Sequence, residues 1–462
     1  MLHVIILAAG EGKRMRSRHP KVLQAVGGQP MLAHLLQTAQ ALEPETIHVV
    51  VGAGAQAVKD RFADFDVEWV DQRERLGTGH ATLQVLPNIP DGAQVLVLPG
   101  DMPLVRPETL TALVNDEADL AVLSFLAEDP TGYGRILRSD DHAVSAIVEH
   151  ADASPSQAEV REVNAGVMAA CCRAFKGWLA DIEPKNAQGE YYLTDAVALA
   201  VEQGQSVAGV VADDPTECLG ANDRVGLAEL EHSWQQRQRR ALMAAGATLE
   251  DPSSVWIKAR VTVGRDVVIG PNVTLQGEVA LGDGAVIETG CVVDNSRLAA
   301  MTHLAPYSLL AGVETTGPCQ IGPFARLRAG TVLAENVKIG NFVEVKQATF
   351  AVGAKANHLS YIGDANIGAG VNIGAGTITC NYDGAAKHVT TIGPDAFIGS
   401  NTALVAPVNI GAGAVIGAGS VIAKDAPAAQ LSLTRAPQRS VEGWTRPKKK
   451  TDGSTDGSTD GS

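Results

Sequence analysis

From Val263 onward, apolar residues recur every six positions, a period that very few chain architectures can accept. Successive units begin at Val263, Ile269, Leu275, Leu281, Ile287 and Val293, resume at Ile321, Leu327, Leu333, Ile339 and Val345, and continue at Ile367 and Ile373. A last set runs Ile392, Ile398, Leu404, Ile410, Ile416 and Ile422, with Gly often next, as in Ile269-Gly270 and Ile410-Gly411. A repeat of six suits a solenoid whose apolar residue fills the interior while Gly or a small residue turns each corner. The period predicts a left-handed parallel β-helix of hexapeptide repeats over 247–425. It also accounts for 48 Gly in 462 residues with only 4% aromatics. Collagen is excluded because the Gly spacing is not three, and bulk disorder because Val, Ile and Leu are abundant.

Two interruptions of the period are expected to matter. One falls around Val352–Tyr361, where His358 sits. The other is an insertion from Thr379-Cys380-Asn381-Tyr382-Asp383-Gly384 to Thr391, read as a loop pushed out of a coil; such loops tend to carry binding residues. After Lys424 the period is expected to end. A basic segment, 426–450, holds Arg435, Arg439, Arg446 and Lys448–Lys450, and the repeated Thr-Asp-Gly-Ser of 451–462 is expected to be disordered.

The first half, 1–223, has a different rhythm. Val4–Leu7, Ile47–Val51 and Val95–Leu98 read as buried strands, and Met31–Leu42 has helical spacing. This alternation predicts a Rossmann-like α/β domain with a mostly parallel sheet. Ligands of such sheets sit at the carboxyl ends of strands, where Gly10 and Asp101 fall. Between the halves, 224–246 reads as one long linker helix with Asp223 as N-cap and Gly246 as stop. Its apolar stripe is Leu227, Leu230, Trp234, Ala241 and Leu242, with Arg237, Arg239 and Arg240 expected in solvent.

A formal charge of −15 makes nucleic acid an unsuitable partner, though local basic pockets can still hold phosphates. Six Cys with no Cys-x-x-Cys pair suggest reduced thiols in a cytoplasmic protein rather than a disulfide framework or a zinc site. The opening apolar run is too short to span a membrane and lacks a signal peptide's basic flank, so neither membrane attachment nor export is expected.

Gly10-Glu11-Gly12-Lys13-Arg14-Met15 follows the first strand but lacks the third Gly of a dinucleotide fingerprint. The second strand ends at Val51-Gly52 without the acidic residue that a dinucleotide ribose requires. The loop continues through Arg16, Arg18 and Lys21, a basic cluster suited to a triphosphate. Leu7-Ala8-Ala9-Gly10-x-Gly-x-Arg14-Met15 with Pro20-Lys21 resembles the sugar-1-phosphate nucleotidyltransferases. Gln72 with Leu76-Gly77-Thr78-Gly79-His80-Ala81 resembles their uracil-contacting stretch, and Gly100-Asp101 their metal-binding turn, with Pro99 where relatives often carry Tyr. Together with the hexapeptide half, the chain to about Lys450 resembles the bifunctional bacterial uridylyltransferase/acetyltransferase family that makes UDP-N-acetylglucosamine.

That resemblance implies the following roles. Leu7, Ala8, Ala9, Gly10, Arg14, Lys21, Gln72, Gly77, Thr78, Pro99 and Gly100 would hold the nucleotide. Gly134, Glu149 and Asn164 would hold the N-acetylglucosamine part, and Asp101 and Asn222 would bind Mg²⁺. In the second half, His358 would be the catalytic base, with Arg328, Lys346, Tyr361 and Asn372 on glucosamine 1-phosphate. Ala375, Asn381, Tyr382, Ser400, Ala418 and Arg435 would contact acetyl-coenzyme A. A homotrimer with sites between subunits is implied as well.

The residue chemistry is consistent with these roles. Mg²⁺ prefers a few protein oxygens plus substrate phosphates, Arg and Lys suit a sugar phosphate, and neutral His suits removal of a proton from an amine. Two other readings stay open at this point: a monofunctional nucleotidyltransferase whose β-helix only assembles it, and an inactive nucleotide-binding module. The first would not require His358, Asn381 and Tyr382 together. The second would be expected to show a damaged Gly10–Lys21 loop or no Asp101.

Overall fold

The computed structural model describes residues 1–52, 54–140 and 142–447. Lys448–Lys450 and the Thr-Asp-Gly-Ser tail lie outside the described residues. The chain divides into two compact units, Met1–Pro318 and Cys319–Ser462.

The first unit opens with a nine-stranded sheet. Its strands are β1 (Leu2–Ala8), β2 (Thr46–Val51), β3 (Glu68–Asp71), β4 (Gln94–Pro99), β5 (Leu120–Leu126), β6 (Arg135–Arg138), β7 (Val144–Val148), β8 (Glu162–Cys171) and β9 (Val207–Val211). The main order is β9-β5-β8-β4-β1-β2-β3, and β6 joins β7 to β8. β4, β1, β2 and β3 are parallel, whereas β8 runs antiparallel to both β4 and β5, so the sheet is mostly parallel as expected. Val4, Ile5, Ile6, Leu96, Val97 and Leu98 are fully buried. Apolar residues on both strand faces are the mark of a sheet covered on both sides. Met31–Gln40 forms the predicted helix, with Leu32, Leu35 and Leu36 inside. Each such Leu contributes about 1.5–3 kcal/mol on burial.

A long helix, Arg224–Ala244, begins where Asp223 accepts from Val225 N and Gly226 N at 3.0 Å each. It stops at Gly246, whose φ is 105°. Leu230, Trp234 and Leu242 are buried as predicted, but Ala241 is exposed. Arg239 corrects the expected arginine face: it is 7% exposed, and its Nε donates to Val255 O at 2.8 Å. Arg237 is half-buried and donates to Leu104 O at 2.7 Å. Gln235 exchanges two hydrogen bonds with the backbone of Ile257, at 2.6 and 2.9 Å. Gln235, Arg237 and Arg239 therefore reach backbone carbonyls of buried residues rather than water, while Arg240 is exposed as expected.

The coils follow in both units. In the first, Ile257, Ile269, Leu275, Leu281, Ile287, Val293, Leu298, Leu304 and Leu310 lie inside. Leu298, Leu304 and Leu310 extend the repeat through the gap left by the six-residue count, because Val293 to Leu298 is a five-residue side. In the second unit, Val345, Phe350, Ala356, Ile362, Ile367 and Ile373 are interior. The interruption expected at Val352–Tyr361 is therefore corrected. That stretch is a regular side filled by Ala354, Ala356 and Ser360, and the phase slips instead at Val345–Phe350 and Ile362–Ile367. The insertion is where it was expected: Tyr361 pairs with Ile378 and Ala365 with Thr390, so the chain leaves and rejoins one ladder. A different ladder runs past Lys424, with Leu431–Ser432 pairing to Val415–Ile416.

At the sheet end away from Gly10, His3 Nδ1 and His48 Nε2 share a hydrogen bond of 3.2 Å, and His48 Nδ1 is 3.1 Å from Glu68 Oε2. Burial lowers both imidazole pKa values; the charges of Glu45 and Glu68 oppose this at His3, as does Glu68 at His48. A depressed folded-state pKa means that the unfolded chain binds more protons, so stability is complete above about pH 6.5 and falls as pH drops through the folded values. Melting temperature should therefore decrease between pH 7.5 and 5.5, and His48→Gln should flatten that slope. Equal slopes for both proteins would rule the pair out as its source.

Candidate active sites

A cleft of about 800 Å³ opens at the carboxyl ends of β1 and β4. Leu7, Ala9, Gly10, Gln72, Gly77, Thr78, Pro99, Asp101, Glu149 and Asn164 all line it. Gln72 directly follows β3, and its backbone amide donates to Val51 O at the end of β2 at 2.8 Å. Its side chain donates to Gly77 O at 3.2 Å and contacts His80 Nδ1 at 3.0 Å. Gly77 has φ 117°, and a side chain there would collide with the backbone of Tyr191. Gly100 donates to Leu7 O at 2.9 Å, an approach that a Cβ would block. Ala8, Arg14, Lys21, Gly100, Gly134 and Asn222 are not part of the lining. Gly134 lies against Glu149 and accepts from Asn164 N at 2.8 Å, while Arg14 is exposed.

At Asp101, which lines the cleft, three distant segments meet. Lys21 Nζ pairs with Asp101 Oδ2 and donates to Asn222 Oδ1 at 2.7 Å. Asp101 ends the turn after β4, and Asn222 directly precedes the N-cap of the long helix. Two hard oxygens thus converge on one cationic atom, an arrangement that fits Mg²⁺ completed by substrate phosphates. Among the described residues, no group of three His, Cys, Asp or Glu side chains could hold a metal, and a cation placed here would meet this carboxylate and this amide.

The opposite end is carboxylate-rich. Burial raises the Glu149 pKa, opposed by Thr194 Oγ1, which donates to Glu149 Oε1 at 3.0 Å. Asp195 is pushed up to about 6, first by burial and then by the charges of Glu149 and Asp152. Sequence reasoning missed Glu11, Lys13, Arg73, Arg75, Glu190 and Thr194 in the lining. Glu11 bridges Lys13 at 2.9 Å and Arg75 at 2.5 Å. The only sequence signal for this was the density of charge in the loop.

The second site lies on the coils. Asn341 pairs with His358 in register, and His358 Nδ1 is 3.0 Å from Asn341 Oδ1. The tautomer assignment that satisfies this contact puts the proton on Nδ1 and leaves Nε2 as a base. Asn341 was not among the predicted residues. Ala356 pairs with Ile373, Ile373 with Ile398 and Ile398 with Ile416. Two residues beyond each pair, His358, Ala375, Ser400 and Ala418 form one column. Asn401 N donates to Ala375 O at 2.7 Å and Gly419 N to Ser400 O at 2.8 Å along it. Arg435 sits beside Gly417 and Gly419 at the column's far end.

The basic residues form a second group. Arg328 Nη1 donates to Glu344 Oε1 at 3.1 Å, Lys346 Nζ is 3.6 Å from Asp364 Oδ2, and Asn381 Nδ2 contacts Tyr361 Oη at 3.4 Å and Asp364. Lys387, missed in the sequence, joins them from the inserted loop. Its hydrogen bond with Lys346 and that ammonium's charge lower its pKa, with Arg328 adding to the effect. Crowded cations of this kind suit a phosphate. Asn372 belongs to the other sheet, in register with Lys355 and Phe397, and is not brought to this group within one chain. Tyr382 is 61% exposed.

Fold and sites together define a nucleotidyltransferase domain followed in the chain by hexapeptide-transferase coils. Residues 4–249 match the MobA-like NTP transferase domain, 252–356 the GMPPB C-terminal domain and 390–424 the bacterial transferase hexapeptide of six repeats. The bifunctional protein GlmU of Stenotrophomonas maltophilia is 52% identical, covering 97% of this chain and 99% of its own. Those of Xanthomonas euvesicatoria pv. vesicatoria (54%; 97% and 99%) and Alkalilimnicola ehrlichii (52%; 98% and 98%) are similarly close. The chain belongs to the bifunctional GlmU family.

Proposed function

We infer that this chain makes UDP-N-acetylglucosamine in two steps, N-acetylation of glucosamine 1-phosphate by acetyl-coenzyme A and then uridylyl transfer from UTP to the product. The observation that carries this reading is the column headed by His358. A β-helix that only assembled the enzyme would have no use for an oriented imidazole above a strip of small residues ending at an arginine.

In acetyl transfer, the sugar amine attacks the thioester carbonyl while His358 Nε2 takes its proton. The carbon–sulfur bond breaks, and the proton returns to the departing coenzyme A sulfur. Asn341 keeps the imidazole in the required tautomer, and Arg328, Lys346 and Lys387 neutralise the sugar phosphate. In uridylyl transfer, a phosphate oxygen of N-acetylglucosamine 1-phosphate attacks the α-phosphorus of UTP, and the bond to pyrophosphate breaks. Gln72, Gly77 and Thr78 position the base, and Glu149 and Asn164 the sugar, while Lys21 offsets phosphate charge. Mg²⁺, held by Asp101 and Asn222, would neutralise charge gathering on the phosphates.

We propose that the chain forms a homotrimer, a reading supported by the surface beside the column. Phe324 and Phe342 stack with centroids 5.6 Å apart, and with Leu359 they are 49%, 56% and 62% exposed. All three have φ between 48° and 56°, a conformation that costs a bulky residue about 1–2 kcal/mol. A second copy covering this ridge would offset that cost and could bring its Asn372 to the Arg328 group. We place the protein in the cytoplasm; among the described residues, no helix is long and apolar enough to cross a membrane.

The test supplies each substrate pair separately to the purified full chain. Thiol release is expected with acetyl-coenzyme A and glucosamine 1-phosphate, and pyrophosphate release with UTP and N-acetylglucosamine 1-phosphate. Light scattering on the same sample should give three times the chain mass of 48.1 kDa. Absence of thiol release would leave the monofunctional reading standing, and a monomer would remove the trimer.

A further inference from the structure

One carboxylate holds the inserted segment in shape. Asp383 accepts from Ala385 N at 2.8 Å, Ala386 N at 2.7 Å and His388 Nε2 at 2.6 Å, and its own amide donates to Ala386 O at 3.2 Å. The loop closes where His388 N donates to Asn381 O at 2.8 Å, and Tyr382 and Lys387 form an isolated antiparallel bridge. Tyr382 Oη donates to Gly384 O at 2.6 Å. Apolar packing contributes little, since Tyr382 and Val389 are 61% and 49% exposed. The donors around Asp383 hold its carboxyl far below the ordinary range, so it stays ionised wherever the fold persists.

We propose that Asp383 is a positioning residue for acetyl transfer, fixing the 381–388 loop so that Asn381 and Tyr382 meet acetyl-coenzyme A in a preformed arrangement. This rests on the proposed acetyl transfer and on the contact of those two residues with acetyl-coenzyme A that the family resemblance implies. Asp383 itself turns into its own loop, where three donors occupy it, and it touches none of the reacting atoms in this scheme. Without it, the loop must be ordered as the ligand binds. A loop that adopts the binding shape one tenth of the time weakens apparent affinity about tenfold.

The test uses the full-length protein with coenzyme A as probe, measured by calorimetry, alongside steady-state kinetics. Asp383→Ala should weaken coenzyme A binding about tenfold and raise KM for acetyl-coenzyme A to match, with kcat at saturation changing less than about threefold. Pyrophosphate release from UTP should remain at the wild-type rate. Asp383→Asn, which keeps an oxygen for the Ala385 and Ala386 amides, should recover most of the affinity. Should Asp383→Ala not fold, His388→Ala removes one tie and should give a smaller loss in the same parameter. Unchanged coenzyme A affinity, or a fall in kcat with KM intact, overturns the proposal. Asn381→Ala and Tyr382→Ala separate the two claims. If they lose affinity while Asp383→Ala does not, only the positioning role fails; if neither loses affinity, the contact reading fails with it.

Discussion

His358→Ala should lower acetyl transfer at neutral pH by about 10²–10⁴-fold, the contribution usual for a well-placed general base. The amine of glucosamine 1-phosphate is largely protonated there and must shed a proton to attack. Nε2 is available because the Asn341 amide oxygen, 3.0 Å away, takes up Nδ1–H. Arg328, Lys346 and Tyr361 make their contacts with Glu344, Asp364 and Asn381, none of which involves the imidazole, so both substrates should still bind. The deficit should shrink as pH rises and free amine becomes plentiful. Uridylyl transfer should be untouched. Thiol release matching wild type at pH 7 would make His358 structural and place the base elsewhere.

Asp101→Asn should reduce uridylyl transfer by about 10²–10³-fold, comparable with loss of one preorganised charge-stabilising group, while acetyl transfer stays at wild type. Two effects add. The substitution removes the only carboxylate of the proposed metal pair, and it leaves Lys21, whose side chain is 13% exposed, without its counter-ion. The Mg²⁺ concentration needed for half-maximal pyrophosphate release should therefore rise, partly rescuing the rate at high metal. A variant with wild-type pyrophosphate release at wild-type Mg²⁺ would sink the ligand assignment and the role given to Lys21 together.

The parts of the sites legible in the sequence are those where one residue type has one use. Gly77 and Gly100 mark tight backbone approaches, Asp101 sits in the turn after a strand, and His358 is followed by Tyr361, Asn372, Asn381 and Tyr382. Arg239 shows the opposite case. Its helical face is polar, which implies solvent, yet its guanidinium is buried because the Val255 carbonyl lies opposite it. Lys387 looked like an ordinary loop lysine; only closure of the loop onto Lys346 makes it part of a phosphate-sized cluster. Asn341 is a residue of the repeat until register places it against His358.

Within the coils, the six-residue period was enough to determine a parallel β-helix, because an interior of fixed width accepts one apolar side chain per side. It could not reveal where sides shorten to five residues, at Val293–Leu298, Val345–Phe350 and Ile362–Ile367, since Ala and Phe fill the same position in different coils. The sequence by itself determined the fold class of each half and named many of the residues that line the cleft. It did so because periodicity and glycine placement are local requirements of backbone geometry. Tertiary structure alone decided the rest: the meeting of Lys21, Asp101 and Asn222, the column from His358 to Ala418, and the separation of Asn372 from Arg328. Each depends on register between segments far apart in the chain, and register is set by packing that no local pattern records.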